Sequence, residues 1–437
     1  MTDSKAEKAE KQLHRNRWPG RILVYFKSLG PGLITGASDD DPSGIGTYSQ
    51  TGAQFGYAQL WTAIFTFPLM TAVQEMCARI ALHTGRGLVD IIREYYPKPI
   101  LYLAVLLLFV ANTINIGADL GAMAGSVQSI VGSPFWIWLI AFALIIVLQI
   151  LVSYNRYARL LRFLTLSLLA YVLVAMLVTE DWRQVFYSTF IPTIQFNKDY
   201  TLNLVAVLGT TISPYLFFWQ AAQEVEEDID SGKTTKEARK GVSRTELKWM
   251  RTDVISGMLV SNLVMWFIII TTATTLFHRG ITEIDSASKA AEALKPIAGR
   301  FASILFTAGI VGTGLLAVPI LAGSSAYAMA ETFRWREGLY LKLRQAWGFY
   351  GIIAFSTLLG ATINFLGINP IKVLYYTAVI NGLVAPPLLC MIMLIGNNRQ
   401  IMEDKINGRA SNVLGWFTAI AMTVAAAALI WSFQLSL

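Results

Sequence analysis

The sequence predicts an all-α integral membrane protein of eleven helices, arranged as two inverted five-helix repeats plus one more. Three observations carry that expectation. Of 437 residues, 54% are hydrophobic and only 14% are charged, against roughly 25% charged in ordinary soluble domains. Apolar stretches of about 20 residues, the length needed to cross a bilayer, recur along nearly the whole chain. Two of these stretches are interrupted near their middles by a polar residue and a proline.

The stretches are 29–52, 57–82, 100–130, 134–153, 160–179, 201–225, 253–276, 300–331, 346–366, 371–395 and 412–434. The first and sixth are the least apolar. Placing the N-terminus in the cytoplasm and alternating puts 28 of the 35 Lys and Arg on the cytoplasmic side and 7 outside. That asymmetry favours an inside N-terminus, an outside C-terminus and an odd number of spans; the expected location is the plasma membrane. Residues 1–26 read as a polar, basic cytoplasmic tail without the apolar run of a signal peptide. Residues 27–395 form the expected core, with repeats at about 29–179 and 201–395. Residues 396–437 supply a cytoplasmic loop and the last helix. The loop from Val225 to Thr252 mixes acids and bases and reads as a short helical connector. Cys77 and Cys390 lie singly in apolar stretches and form neither a disulfide framework nor a metal cluster. The net charge of +7 follows topology and gives no reason to expect nucleic acid as a partner. Nothing in the sequence calls for a cofactor or an obligatory protein partner; the bilayer and a cation are the partners it implies.

The first stretch breaks at Ser38-Asp39-Asp40-Asp41-Pro42-Ser43-Gly44, and the sixth at Gly209-Thr210-Thr211-Ile212-Ser213-Pro214. Proline interrupts a helix and frees backbone carbonyls. A charge within the bilayer costs at least a few kcal/mol. Broken helices at matching positions of inverted repeats point to a transporter's binding site. The competing reading is two unrelated proline kinks. Asp41 is the expected anchoring ligand. Carbonyls near Ser38 and Thr210, and the hydroxyls of Thr210 and Ser213, offer further oxygens. Gly44, Ser43 and Ser213 are small and leave room for a partly hydrated ion. Oxygen ligands without Cys, His or Met suit Mg²⁺, Ca²⁺ or Mn²⁺.

Successive residues on a helix point about 100° apart, so Asp39 and Asp40 cannot both join Asp41 on one ion. They are expected to line the approach, to hold an outer-shell water, or to serve as a cap or solvated wall. Asp119, alone in the third stretch, is either an outer-shell or proton-route residue or a hydrogen-bonding link between helices. Gln220 can face the pathway, Glu224 reads as interfacial, and Asn381 can reach the ion on closure. Glu75 and Arg79 read as a local ion pair. An intramembrane aspartyl protease using Asp41 and Asp119 has a proline break beside only one of its acids. An amino-acid symporter would bring a carboxylate against three acids.

These residues resemble a known family. Gly30-Pro31-Gly32-Leu33, Asp41-Pro42-Ser43-Gly44 and Gly52-Ala53-Gln54-Phe55-Gly56-Tyr57 are similar to the first helix of the Nramp divalent-metal transporters. Ala78-Arg79 with Thr84-Gly85-Arg86, and Thr211-Ile212-Ser213-Pro214-Tyr215, fall at that family's second and sixth helices. The resemblance implies the leucine-transporter-type fold, alternating access and a divalent metal as cargo. The departures are specific. Where the family has Asp-Pro-Gly-Asn, Gly44 takes the place of the Asn ligand. Where it has Met-Pro-His, Ser213 and Tyr215 replace the thioether and the histidine. A second family histidine falls near Gln220, and Ala122 takes the place of a second acid beyond Asp119. These substitutions resemble the Nramp-related magnesium transporter branch, which implies Mg²⁺, with Mn²⁺, moved without proton coupling. The alternative is a proton-coupled Mn²⁺/Fe²⁺ importer of the ordinary family type.

Overall fold

The computed structural model describes residues 30–149, 168–179 and 181–434. The expected tail at 1–26 lies outside the described residues, as do the end of the fourth stretch and the beginning of the fifth. Among the described residues the long elements are all helical: α1 Pro31–Asp39, α2 Pro42–Phe55, α3 Trp61–Thr84, α4 Leu88–Tyr95, α5 Lys98–Val131, α6 Phe135–Gln149, α7 Leu169–Val178, α8 Trp182–Phe190, α9 Lys198–Thr211, α10 Pro214–Asp230, α11 Arg244–Thr275, α12 Ala302–Phe333, α13 Trp347–Thr362, α14 Pro370–Asn397 and α15 Arg409–Gln434.

Seven helical stretches among the described residues are long and apolar enough to cross a membrane: Lys98–Val131, Lys198–Asp230, Arg244–Arg279, Ala287–Phe333, Trp347–Leu366, Pro370–Asn397 and Arg409–Trp431. Phe135–Leu148 and Leu169–Val178 are shorter apolar helices. The first two expected spans meet that standard less well for a physical reason. The first is divided into helices of 9 and 14 residues, and α3 carries Gln74, Glu75 and Arg79 in its length.

Both breaks use the same local device. A residue before proline is biased out of the helical region towards an extended conformation, a bias realised at both breaks but not at Pro68, Pro319, Pro386 or Pro387, which lie inside continuous helices. Asp41, before Pro42, has ψ 172°, and Ser213, before Pro214, has ψ 130°. Proline then takes the first position of the next helix, where a missing N–H costs nothing. The connector after α10 is a short helix, Lys236–Arg239, as the mixed charges suggested. Ser243 and Glu246 then start α11 with a capping box.

Helix α11 supports both halves of the first break. A Cβ at Gly36 would overlap the Gly257 carbonyl, and one at Gly257 would overlap that of Gly32. The backbones of α1 and α11 therefore touch, the close approach that small residues permit in membranes. A Cβ at Gly52 would overlap Thr272 Oγ1 and the Ile269 carbonyl, so α2 leans on α11 as closely. Asp253 of α11 also accepts hydrogen bonds from the backbone N–H groups of Gly30 (2.9 Å), Gly32 (2.7 Å) and Leu33 (3.2 Å). These are otherwise the unsatisfied donors of a helix start. Facing them, α9 packs on α14, where Gly209 lies against the Ala378 carbonyl and Gly382.

Candidate metal site

Asp41 sits between the two halves of the first break and is 2% exposed. Its Oδ1 accepts from the Gly44 N–H at 2.7 Å, capping α2. Its Oδ2 accepts from Asn115 Nδ2 of α5 at 3.1 Å. A buried carboxylate requires such donors or a cation. Two neutral donors leave its negative charge uncompensated.

The space over Gly44 is bounded by oxygen. An atom at its Cβ position would stand 3.1 Å from the Asp39 carbonyl, 3.3 Å from Thr210 Oγ1 and 3.4 Å from Asp41 Oδ1. Residues from both breaks thus meet around one glycine. Packing there is close rather than wide, which differs from the expected roomy site. Gly44 is small because its neighbours are near. The carbonyl facing this space belongs to Asp39, one residue later than expected. That of Ser38 is occupied by the Tyr215 hydroxyl, which donates to it at 2.8 Å, while the Ser38 hydroxyl donates back to Ile34.

Ser213 Oγ donates to the carbonyls of Gly209 (2.9 Å) and Thr210 (2.8 Å). It therefore caps the carbonyls that the break released, and only its lone pairs remain for a ligand. Tyr215 is held from a second side, since its carbonyl accepts from Ser324 Oγ of α12 at 2.9 Å.

Asp39 and Asp40 are 1% and 3% exposed, so neither forms a solvated wall. Ser261 Oγ of α11 donates to Asp39 Oδ2 at 2.6 Å and lies 3.4 Å from Asp40 Oδ1. The serine holds the two acids against α11. Asp39 Oδ1 remains buried without a hydrogen bond, as do Ser43 Oγ, Asn115 Oδ1 and both oxygens of Asp119. Asp119 lies one turn beyond Asn115 on α5, and the Asp41 charge and the Ser43 N–H are its polar surroundings.

The remaining expected residues have partners or surroundings of their own. Gln220 Nε2 donates to Glu224 Oε1 at 2.8 Å, and both residues are buried. Glu224 is therefore not interfacial, because α10 continues to Asp230 and carries it inside the bundle. Asn381 of α14 is buried with its Nδ2 unpartnered. Glu75 pairs with Arg79 at 3.1 Å, and Arg79 further donates to the Lys405 carbonyl and Asn407 Oδ1.

Sequence reasoning missed three residues that hold the site. Asn115, Ser261 and Asp253 each act on the first break from another helix. Asn115 had a local signal, because a spacing of four places it on the same helix face as Asp119. Ser261 and Asp253 had none. Among the described residues, no group of three or more His, Cys, Asp or Glu side chains is arranged to hold an ion. A cation here would be held by one carboxylate with carbonyl, hydroxyl and amide oxygens.

Comparison with known proteins identifies the family. A family profile described as natural resistance-associated macrophage protein-like (Nramp) matches residues 32–432. The divalent metal cation transporter MntH of Deinococcus radiodurans is 25% identical over 418 residues, covering 94% of this chain and 90% of that protein. The protein of the same name from Bacillus subtilis is 24% identical over 413 residues, covering 92% and 90%. The Eremococcus coleocola manganese transporter, solved with an aromatic bis-isothiourea compound, superposes with a TM-score of 0.73 at 16% identity, covering 93% of this chain and 86% of that one. Mhp1, a nucleobase-cation-symport-1 family transporter, superposes with a TM-score of 0.52 at 14% identity, covering 93% of each chain. These structural likenesses speak for the fold.

Proposed function

The chain belongs to the Nramp family, and we propose that it is a divalent metal ion transporter that carries Mg²⁺, and Mn²⁺ with it, by alternating access and without proton coupling. The eleven stretches are its spans, with α1/α2 and α9/α10 as the equivalent broken helices of two inverted repeats. The N-terminus faces the cytoplasm, and the C-terminus faces outward from the plasma membrane. Asp41 anchors the ion. Thr210, Ser213 and the backbone around Ser38 and Asp39 supply neutral oxygens, and Gly44 forms the wall. Asp39, Asp40, Ser43, Tyr215, Gln220, Asp119 and Asn381 line the route or hold outer-shell water.

One observation carries this reading: the three atoms nearest the Gly44 Cβ position are all oxygens, drawn from both breaks. A soft thioether favours transition metals over Mg²⁺, so a set of oxygens removes that discrimination. Mg²⁺ holds its waters firmly and takes only one or two carboxylates, which matches a single Asp41 with hydroxyls around it. Substrate passage then follows the fold. The ion meets Asp41 from one side while the packing of α1 and α10 closes the other. Movement of those half-helices against α11 and α12 exposes the same oxygens to the opposite face.

A second reading, proton-coupled Mn²⁺ import, has its own support in Asp119. Its carboxyl is buried close to the Asp41 charge with the Ser43 N–H beside it, and buried intramembrane acids form proton relays. Mg²⁺ and Mn²⁺ uptake into proteoliposomes with an interior pH dye separates the two. Uncoupled transport gives metal entry at matched pH with no dye response. Metal-dependent interior acidification establishes the coupled reading instead.

A further inference from the structure

We propose that Asn115 is itself a cation-binding residue, its side-chain amide oxygen supplying a neutral ligand beside Asp41 in a chain that carries Gly44 in the first break. The inference rests on the metal site proposed above and adds a ligand from a different helix.

The orientation of the amide is fixed by chemistry. Asn115 Nδ2 donates to Asp41 Oδ2 at 3.1 Å, and an ionised carboxylate can only accept. The amide oxygen is carried on the same carbon as that nitrogen, the atom that donates to the carboxylate. It is fully buried and no group donates to it. A buried acceptor left without a donor costs on the order of 1–3 kcal/mol, and buried acceptors are normally paired.

The neighbours do not relieve this. Asp119, one turn along α5, adds two more acceptor oxygens with the Ser43 N–H beside them, and Asp39 Oδ1 is a fourth acceptor at the same break. Ser43 Oγ is also unpartnered, but a single hydroxyl proton cannot serve four acceptors. Such an excess of acceptors over donors suits a cation or a water delivered with one. An anionic ligand would need the reverse. Asn115 therefore does more than steer Asp41. Its N–H holds the carboxylate while its oxygen shares the ion.

The test uses the full-length protein with Mn²⁺ as the probe. In Asn115→His an imidazole nitrogen replaces the amide oxygen, and pulsed electron paramagnetic resonance of bound Mn²⁺ should show a directly coordinated nitrogen that wild type lacks. Mn²⁺ bound without that coupling overturns the proposal. Asn115→Asp keeps an oxygen but loses the donor to Asp41. It should bind Mn²⁺ within about threefold of wild type or more tightly, while Asn115→Ala weakens binding about ten- to a hundredfold, the range seen when a ligand's support is removed. An Asp variant as weak as the Ala variant means that Asn115 only positions Asp41, and also overturns the proposal; this arm decides the matter if the His variant fails to fold. Asp41→Ala is the control for the underlying site. If it binds Mn²⁺ like wild type, the site itself is misplaced, whatever the Asn115 variants do.

Discussion

The Tyr215 hydroxyl donates a 2.8 Å hydrogen bond to the Ser38 carbonyl, and so joins the first turn of α10 to the last turn of α1. The two residues are 177 positions apart, and each sits at a break. The bond uses a carbonyl that the first break would otherwise leave open. In the proposed alternating-access cycle, moving α1 away from α10 would break it.

Tyr215→Phe keeps the ring and removes this bond. A neutral hydrogen bond contributes about 1 kcal/mol, which is roughly a fivefold shift in a two-state equilibrium. The substitution should loosen α1 without unfolding the protein. Hydrogen–deuterium exchange should rise in residues 31–39 and remain unchanged in α5.

Gly44→Ala places a methyl group 3.1–3.4 Å from three oxygens, two of them on Asp39 and Thr210. Contacts that short force neighbours to shift in a close-packed interior. Mg²⁺ uptake should show a KM raised at least about tenfold, with a thermal midpoint within a few degrees of wild type. An unchanged KM would place the ion away from Gly44.

Asp253→Ala leaves three backbone N–H groups at the start of α1 without their acceptor. Charge-assisted bonds of this kind contribute about 1.5–3 kcal/mol each to groups they satisfy, and water replaces part of that at this half-buried end. The variant should lose stability by about 2 kcal/mol and protease protection around residues 30–40. Asp253→Asn, which keeps one acceptor oxygen, should fall between it and wild type.

Glu337 lies in the connection between α12 and α13, at the edge of a charged cavity of about 440 Å³. Burial first, then the charges of Glu331, Asp90 and Glu226, push its carboxyl up to about 10, against an opposing pull from Lys236. The folded protein thus prefers Glu337 neutral. Stability from this group is complete below the ordinary carboxylate range, about 4.3, and is lost progressively as pH rises towards 10. Glu337→Gln should flatten the fall in thermal midpoint between pH 5 and 9. A slope equal to that of wild type would mean that the carboxyl is solvated.

The sequence was most informative where local chemistry decides structure. Pro42 and Pro214 marked both breaks, where Asp41 and Ser213 turn extended before them, although Pro68, Pro319, Pro386 and Pro387 lie inside continuous helices. Hydropathy located some helices to within a few residues, as at Lys98–Val131 for the stretch 100–130, but the helix expected from 253 begins at Arg244. What escaped was tertiary. Ser261 and Asp253 lie in a continuous helix with no local irregularity, and the close approach of α1 and α11 at Gly32, Gly36 and Gly257 brings them to the first break. The breadth expected at Gly44 also failed for a tertiary reason. A missing side chain opens space only if neighbours stay away, and here Asp39 and Thr210 move in. Glu224 looked interfacial because α10 was expected to end near it, whereas that helix runs on to Asp230.

Mg²⁺ uptake into proteoliposomes containing wild type or Asp41→Ala is the most direct test of an Asp41-centred pathway. With equal amounts of protein reconstituted, the wild type should admit Mg²⁺ down its gradient and Asp41→Ala should be indistinguishable from empty liposomes. Uptake by Asp41→Ala at the wild-type rate would contradict the assignment.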